Sequence, residues 1–473
     1  MLSALGSMLL IAAGAMVFPL CILPFHPDEL VYILDFVLPG LLLAGSGLLL
    51  IHAGSRRKHK SGVDEQDGSI VVTLGWLIVT AVSVWPFMRI SGLDFSQAFF
   101  ETMSGWTTTG LSMLDVENSP RILLLFRSVM QLVGGAGLAI IMMAAFSMSV
   151  GAGLYRAEGR SYQLVPNVTR SAKVVVTLYL GYTVIGIVAL NLAGMSLFDA
   201  VNHTFSAVST GGFSTKQTSI GYWDSPPIEA IILILMILGN LNFLTAFVLF
   251  SGRLRSFLRN MEVKLLSILT LGGIVALHIF ITRGNYGNLG KSLRVAVFET
   301  VTALTTTGYS TVSYSDWDAR GIFVIVLFMI VGGGICSTAG GLKQYRVAVL
   351  AKAVFWELQR MMLPKRAVVT HRAMVGDEES IVSERQIMEI GVYVFLYLIT
   401  LALGAGVLSV CGYSLSDSIF EFSSALGTVG LSLGLTSSST PPLALWTMST
   451  GMLLGRLEFF VIFISLARLF RRR

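Results

Sequence analysis

Charged side chains are scarce in this chain. Asp, Glu, Lys and Arg make up 13% of its 473 residues, roughly half the share found in soluble globular domains. That scarcity excludes a water-soluble enzyme or binding module of ordinary composition. Cysteine is scarcer still: Cys21, Cys336 and Cys411 all lie in or beside apolar stretches, too few for a disulfide framework and without metal-ligand spacing. The six histidines show no such spacing either. Apolar length is what the chain has in quantity. Hydrophobic residues make up 54%, mean hydropathy is +0.76, and runs able to cross ~30 Å of hydrocarbon recur throughout.

These runs predict ten membrane-spanning helices, at about 3–24, 31–52, 70–88, 122–150, 173–194, 228–251, 264–282, 319–356 (interrupted), 387–411 and 443–467. The first is expected to be retained rather than cleaved, since it lacks a basic leading segment and a second span follows at once. Basic residues gather in alternate loops, at 52–68, 151–173, 252–264 and 343–385 and at the C-terminus, so that 24 of the 33 Lys and Arg fall on one face. The positive-inside rule makes that face cytoplasmic and, with ten spans, places both termini there. The net charge of +6 therefore reports topology, and no nucleic-acid partner is implied.

A repeat runs through the chain. TTTGLS (107–112), STGGFS (209–214), TTTGYS (305–310) and GTVGLS (427–432) align on Gly110, Gly212, Gly308 and Gly430. Two positions before each glycine stand Thr108, Thr210, Thr306 and Thr428, and two after stand Ser112, Ser214, Ser310 and Ser432. Six before is a hydroxyl (Ser104, Ser206, Thr302, Ser424), five before is small (Gly105, Ala207, Ala303, Ala425), and nine before is Glu101, His203, Glu299 or Glu421. Each copy is preceded by a segment too short to cross, at 95–106, 197–208, 293–304 and 415–426. These segments read as re-entrant helices. Non-helical backbone at membrane depth survives only when buried in protein or lining water, so the four T-x-G elements are expected to enclose one pathway. Turns that merely join helices, or small residues that mediate helix packing, would explain a single copy but not four in register.

A dehydrated K⁺ needs its water replaced by oxygens, which potassium-channel filters supply as rings of backbone carbonyls. Glycine reaches the backbone angles such rings require, and threonine adds a hydroxyl. The segments Thr107, Thr108, Thr109, Gly110; Ser209, Thr210, Gly211, Gly212; Thr305, Thr306, Thr307, Gly308; and Gly427, Thr428, Val429, Gly430 are therefore the candidate selectivity filter, with K⁺ at the threonine level. Glu101, Glu299, Glu421 and His203 are expected to brace the surrounding backbone. Asp94, Asp199 and Asp417 are expected in first turns or at N-caps, where they add attraction for cations at the outer mouth.

Four membrane–pore–membrane units with one filter glycine each resemble the Trk/Ktr/HKT superfamily of cation transporters over nearly the whole chain, and the added N-terminal hairpin resembles its TrkH-like bacterial branch. The resemblance implies K⁺ preference, because Gly110 stands where sodium-preferring relatives carry serine. It also implies a homodimer and a cytosolic TrkA-like nucleotide-binding regulatory subunit at a bacterial inner membrane. The expected fold is an all-α membrane protein, with a hairpin and basic loop (1–68) followed by pore units at 69–172, 173–262, 263–385 and 386–473.

Five glycines in ten residues interrupt the third unit's inner helix between Gly332 and Gly341, and each helix-interior glycine costs about 1 kcal/mol. The family's matching element is an intramembrane gating loop, which assigns Gly332, Gly333, Gly334, Ser337, Thr338, Gly340 and Gly341 to the gate; a simple hinge is the alternative. Arg456 lies in an apolar span, where a charge costs at least ~2.5 kcal/mol. Beside the pathway it would repel cations, as the family's basic residue does; a structural ion pair with Glu458 or another carboxylate is the alternative. Asn240 and Asn242 are weaker candidates for bonding the loop. Only the third unit is expected to have a broken inner helix.

No cofactor is implied beyond the transported ion. An enzyme would need clustered nucleophile, metal or acid–base groups, which the sequence lacks, and a membrane scaffold leaves the Thr–Gly columns unexplained. The alternatives within transport are a Na⁺ or non-selective cation route, and K⁺ movement coupled to H⁺ or Na⁺.

Overall fold

A computed structural model describes residues 1–56, 65–137, 168–315, 317–364, 372–375, 378–437 and 439–471. Hydrophobic runs become helices wherever backbone polar groups must be satisfied without water. Six are long and apolar enough to cross a bilayer, and two bent helix pairs raise this to eight. The N-terminal hairpin, Leu2–Val17 and Ile33–Arg56, packs through small residues, with Gly6 and Gly47 each against the other's backbone oxygen. Close backbone approach of this kind is how helices associate when apolar burial gives no advantage over lipid. Leu34, Leu41, Leu42, Leu48 and Leu49 point outward, as a lipid-facing surface requires.

Four short helices enter and stop: Phe95–Trp106, Leu197–Val208, Leu289–Leu304 and Leu415–Leu426. Their starts are chemically set. Asp94 accepts from the Gln97 amide and Gln97 reaches back in a capping box. Ser196 and Ser414 accept from the amides of Asp199 and Asp417, and Asn288 accepts from that of Gly290. The expected first-turn carboxylates are therefore present, two of them as third residues behind a serine cap. All four helices end two positions before the threonine of their T-x-G segment.

The inner helices differ from expectation. The predicted spans 228–251 and 443–467 are not continuous. The chain bends by 116° between Pro226–Asn240 and Phe243–Phe250, and by 99° between Pro442–Leu457 and Phe459–Arg468. At the first break Leu241 is extended and the Asn242 side chain caps the new helix at the Leu244 amide. At the second, Glu458 takes a left-handed φ of 62°. The third unit's Ala319–Val331 stops at Gly332, as anticipated, and helix resumes at Gln344. In the first, Arg121–Ala136 ends at Gly137, and the rest of the predicted 122–150 span lies outside the described residues. Residues 57–64 of the basic loop at 52–68, most of that at 151–173 and part of 343–385 also lie outside them. A two-stranded antiparallel hairpin, Arg372–Val375 with Glu378–Ile381, is the one sheet among the described residues, and nothing in the sequence pattern announced it.

Candidate functional site

The four repeated segments converge, and they do so cyclically. A Cβ added to Gly110 would strike the carbonyl oxygen of Gly211; on Gly212, that of Thr307; on Gly308, that of Val429; and on Gly430, that of Thr109. Each anchor glycine thus abuts the residue preceding the next unit's anchor, and the fourth returns to the first. The ring closes in chain order.

Backbone geometry repeats around it. Thr108, Thr210, Thr306 and Thr428 hold φ of 57°, 51°, 53° and 50°, and the anchor glycines follow at 95°, 75°, 81° and 97°. A left-handed β-branched residue is a genuine outlier, and such strain costs of order 1–3 kcal/mol. Four copies in register mark a built feature. The strain is held from behind. The amides of Thr108, Thr210, Thr306 and Thr428 donate to Gly105, Ala207, Ala303 and Ala425, and the next amides donate to Ser104, Ser206, Thr302 and Ser424. The accepting carbonyls belong to the last turn of each re-entrant helix, against which the segment folds back. Ser104 and Ser424 also accept from the amides of Gly110 and Gly430, each at 3.0 Å.

With the amides turned back, the carbonyl oxygens of the four threonines and four anchor glycines accept no hydrogen bond from the described residues. The Thr108 and Thr428 hydroxyls are likewise buried without a partner. Buried oxygens are normally paired. Here the buried threonine carbonyls and the partly exposed glycine carbonyls form a ring of oxygens free to accept.

The residues nine before each glycine brace the far side of the segment. Glu101 accepts from the Ser112 hydroxyl at 3.0 Å and the Met113 amide at 2.9 Å. Glu299 accepts from the Thr311 amide and hydroxyl and from the Tyr314 hydroxyl. Glu421 accepts from the Ser432 hydroxyl and Leu433 amide, both at 2.7 Å. His203 meets the Ser214 hydroxyl at 2.9 Å. Their role is structural, as expected.

Three residues that sequence reasoning missed join the units. Buried Arg127 pairs with Glu101 at 2.8 Å, donates to the Ser214 carbonyl at 3.2 Å, and lies 3.8 Å from the Phe213 ring centre. Gln131 donates to the Gly211 carbonyl at 2.6 Å and accepts from the Ser206 hydroxyl at 2.7 Å. The Tyr309 hydroxyl donates to the His203 and Phe213 carbonyls, both at 3.1 Å. Each occurs in one unit only, so no repeated column exposed it, although a charged residue in an apolar span was a signal for Arg127. Arg127→Leu strands Glu101 as a buried charge and is expected to cost about 3–5 kcal/mol. Thermal unfolding of the purified protein in detergent measures that loss.

Outside the glycine ring lies a cavity of about 730 Å³ lined by residues 110–112, 212–214, 308, 310–315 and 430–434 among others. Its described ionisable lining is Arg127, Lys216 and Tyr314. Asp94, Asp199 and Asp417 are not part of it, so the expected contribution of these caps to the outer mouth finds no support in this lining.

Inside the ring sits the glycine loop. The Gly340 amide donates to the Thr306 hydroxyl at 2.7 Å, the Thr210 and Thr338 hydroxyls meet at 3.1 Å, and a Cβ on Gly340 would strike the Thr428 hydroxyl. The loop therefore touches the threonine level of three units directly. Gly332 and Gly341 take φ of 66° and 76° and pack against one another, Gly333 donates to the Gly340 carbonyl at 3.1 Å, and Ser337 donates to the Gly334 carbonyl at 2.6 Å. Arg456 reaches in from the fourth unit, donating to the Thr338 carbonyl at 2.9 Å and to the Gly134 and Gly135 carbonyls at 2.5 and 3.0 Å. It bridges the loop to the first unit's inner helix. Glu458 pairs instead with Arg346 at 2.6 Å. Asn240 meets the loop through its backbone carbonyl, which accepts from Gly334 at 3.1 Å, and Asn242 through its neighbour Phe243 and through Glu262.

Residues 48–470 match the TrkH family of cation transport proteins. The chain belongs to the TrkH family. Members are ion transporters and not enzymes, and the all-α membrane fold follows the family's. Among similar chains, the Trk system potassium uptake protein TrkH of Salmonella typhimurium is 32% identical over 437 residues, 88% of each chain. An uncharacterized cation transporter of Methanocaldococcus jannaschii is 30% identical over 454 residues, 95% of this chain and 91% of that one. The crystal structure of the potassium transporter TrkH from Vibrio parahaemolyticus superposes with a TM-score of 0.85 at 26% identity, over 98% of both chains. A TrkH-family chain with six or more apolar spanning helices is a multi-pass membrane protein.

Proposed function

We propose that this TrkH-family chain is a potassium uptake protein. K⁺ passes through a filter built from Thr107–Gly110, Ser209–Gly212, Thr305–Gly308 and Gly427–Gly430, and is bound at the Thr108, Thr210, Thr306 and Thr428 level. The observation that carries this reading is the ring of carbonyls without a hydrogen-bond donor among the described residues, at four similarly strained, buried threonines and at the partly exposed glycines that follow them. Such oxygens replace a hydration shell without a formal charge, which suits a large monovalent cation better than a divalent one. Relatives named potassium uptake proteins support the choice of ion.

The loop from Gly332 to Gly341, with Ser337 and Thr338, is the gate, and Arg456 secures it from the inner side. Its contacts with the Thr210, Thr306 and Thr428 side chains support this, since an ion leaving the ring inward meets the loop. The units divide at 1–68, 69–172, 173–262, 263–385 and 386–473. The family resemblance extends the proposal to a homodimer in a bacterial inner membrane, both termini cytoplasmic, with a TrkA-like nucleotide-binding subunit docking on the basic face.

Purified protein in liposomes is expected to accumulate rubidium down its gradient, and external K⁺ to compete far better than Na⁺. Equal competition by the two ions would favour the non-selective reading; no uptake with or without a regulatory partner would remove the transport assignment.

A further inference from the structure

Glu262 is buried at 6% exposure in the first turn of the third unit's outer helix, Met261–Leu277, where a carboxylate has no part in the ring or its braces. One of its oxygens accepts the Ile335 amide at 2.7 Å, at the centre of the glycine loop. The other accepts from the Asn242 amide side chain at 3.4 Å, and Asn242 caps the half-helix that follows the second unit's break. The Phe243 amide beside it points to the Cys336 carbonyl at 3.5 Å. Glu262 is itself held by Asn260, whose side chain accepts the Glu262 amide at 2.8 Å and donates to the Thr245 hydroxyl at 3.1 Å. Asn260 ends the short helix Leu254–Arg259, whose exposed Arg253, Arg255 and Arg259 lie in the basic, cytoplasmic loop.

We propose that Glu262 is a positioning residue that latches the glycine loop shut and links its release to movement of the cytoplasmic segment Leu254–Asn260. The inference rests on the loop being the gate. Without Glu262 the Ile335 amide has no acceptor among the described residues. A charge-assisted hydrogen bond is about twice as strong as a neutral one, and a buried donor that loses its acceptor bears its full desolvation cost. The latch therefore favours the seated loop over any displaced one. A pull on Leu254–Arg259 acts on Asn260 and through it on both the carboxylate and the bent half-helix at Thr245, so that the loop and the neighbouring break move together. Lys343 closes the far end of the loop by donating to the Ala339 carbonyl, while Glu262 holds its centre at the Ile335 amide.

Glu262→Gln keeps the shape and removes the charge. In liposomes without a regulatory partner, rubidium uptake is expected to rise about tenfold, equivalent to ~1.4 kcal/mol of lost latching, with K⁺ over Na⁺ competition unchanged. A second readout does not depend on flux. Cys336, 7% exposed, adjoins the latched amide, and in a Cys21→Ser, Cys411→Ser background its modification by an impermeant thiol reagent from the cytoplasmic side should accelerate by a similar factor. Asn260→Ala, which loosens the latch without touching the carboxylate, should shift both readouts the same way and carries the test if the Gln variant does not fold. Parental uptake and parental labelling in the folded variants overturn the latch. A chain with Gly333 and Gly334 deleted separates the two ideas: if it leaks while Glu262→Gln does not, the gate stands and the latch falls, whereas a tight deletion chain refutes the gate itself.

Discussion

Gly430→Ser is expected to reduce the preference for K⁺ over Na⁺ by at least about tenfold, a loss of ~1.4 kcal/mol of discrimination. Gly430 stands at φ 97°, in the region where a Cβ costs roughly 1–2 kcal/mol, and the new atom would also meet the Thr109 carbonyl oxygen and the Gly110 backbone. The second effect decides the outcome. Because every anchor glycine abuts the next unit's carbonyl, a displaced Thr109 shifts Gly110, and the disturbance passes around the ring. Discrimination between monovalent cations depends on how many oxygens surround the ion and at what distance, so a distorted ring admits Na⁺ before it blocks K⁺. The measurement is rubidium uptake in liposomes with graded Na⁺ and K⁺ competition. Gly412→Ser is the control for backbone strain alone, since Gly412 stands at φ 102° with open space around its Cα. A Gly430 variant as selective as its parent would contradict the filter assignment.

Arg456→Ala is expected to raise basal uptake about tenfold while leaving that competition ratio intact. Two effects act in the same direction. The guanidinium straps the loop at Thr338 to the first unit's helix end at Gly134 and Gly135, and a fixed positive charge beside the pathway opposes a cation by up to ~4 kcal/mol at 4 Å in a medium of intermediate dielectric. Arg456→Lys separates them. Lysine keeps the charge but not the planar fork that spans several carbonyls, so uptake near the alanine level assigns the effect to the strap, and near the parental level to the charge. Uptake lowered in both variants would remove Arg456 from the gate.

Much of this arrangement was legible in the sequence because it is repeated. Four copies of T-x-G, with hydroxyl and small residues upstream, specified both the ring and the helix ends that hold it, and Gly332–Gly334 announced a break. What escaped notice was either unrepeated or invisible to hydropathy. Leu241 and Glu458 interrupt helices whose apolar character continues across the break, so a window average reads straight through them; only Asn242, a good cap in the middle of a span, hinted otherwise. Arg127, Gln131, Tyr309 and Glu262 each occur once, and each reaches at least one partner more than 70 residues away. The expected contrast between one broken inner helix and three intact ones therefore gave way to breaks in every inner helix described past its midpoint.

Those breaks have a mechanical consequence. A straight rod through the whole bilayer would carry any tilt of its inner end up to the oxygens of the proposed filter. A rod jointed at Asn240–Asn242, at Gly332 or at Glu458 absorbs the tilt at the joint, and its upper segment stays clamped against the re-entrant helices. The upper tier can then remain still while the lower tier swings, so the choice between ions should be the same at every degree of opening.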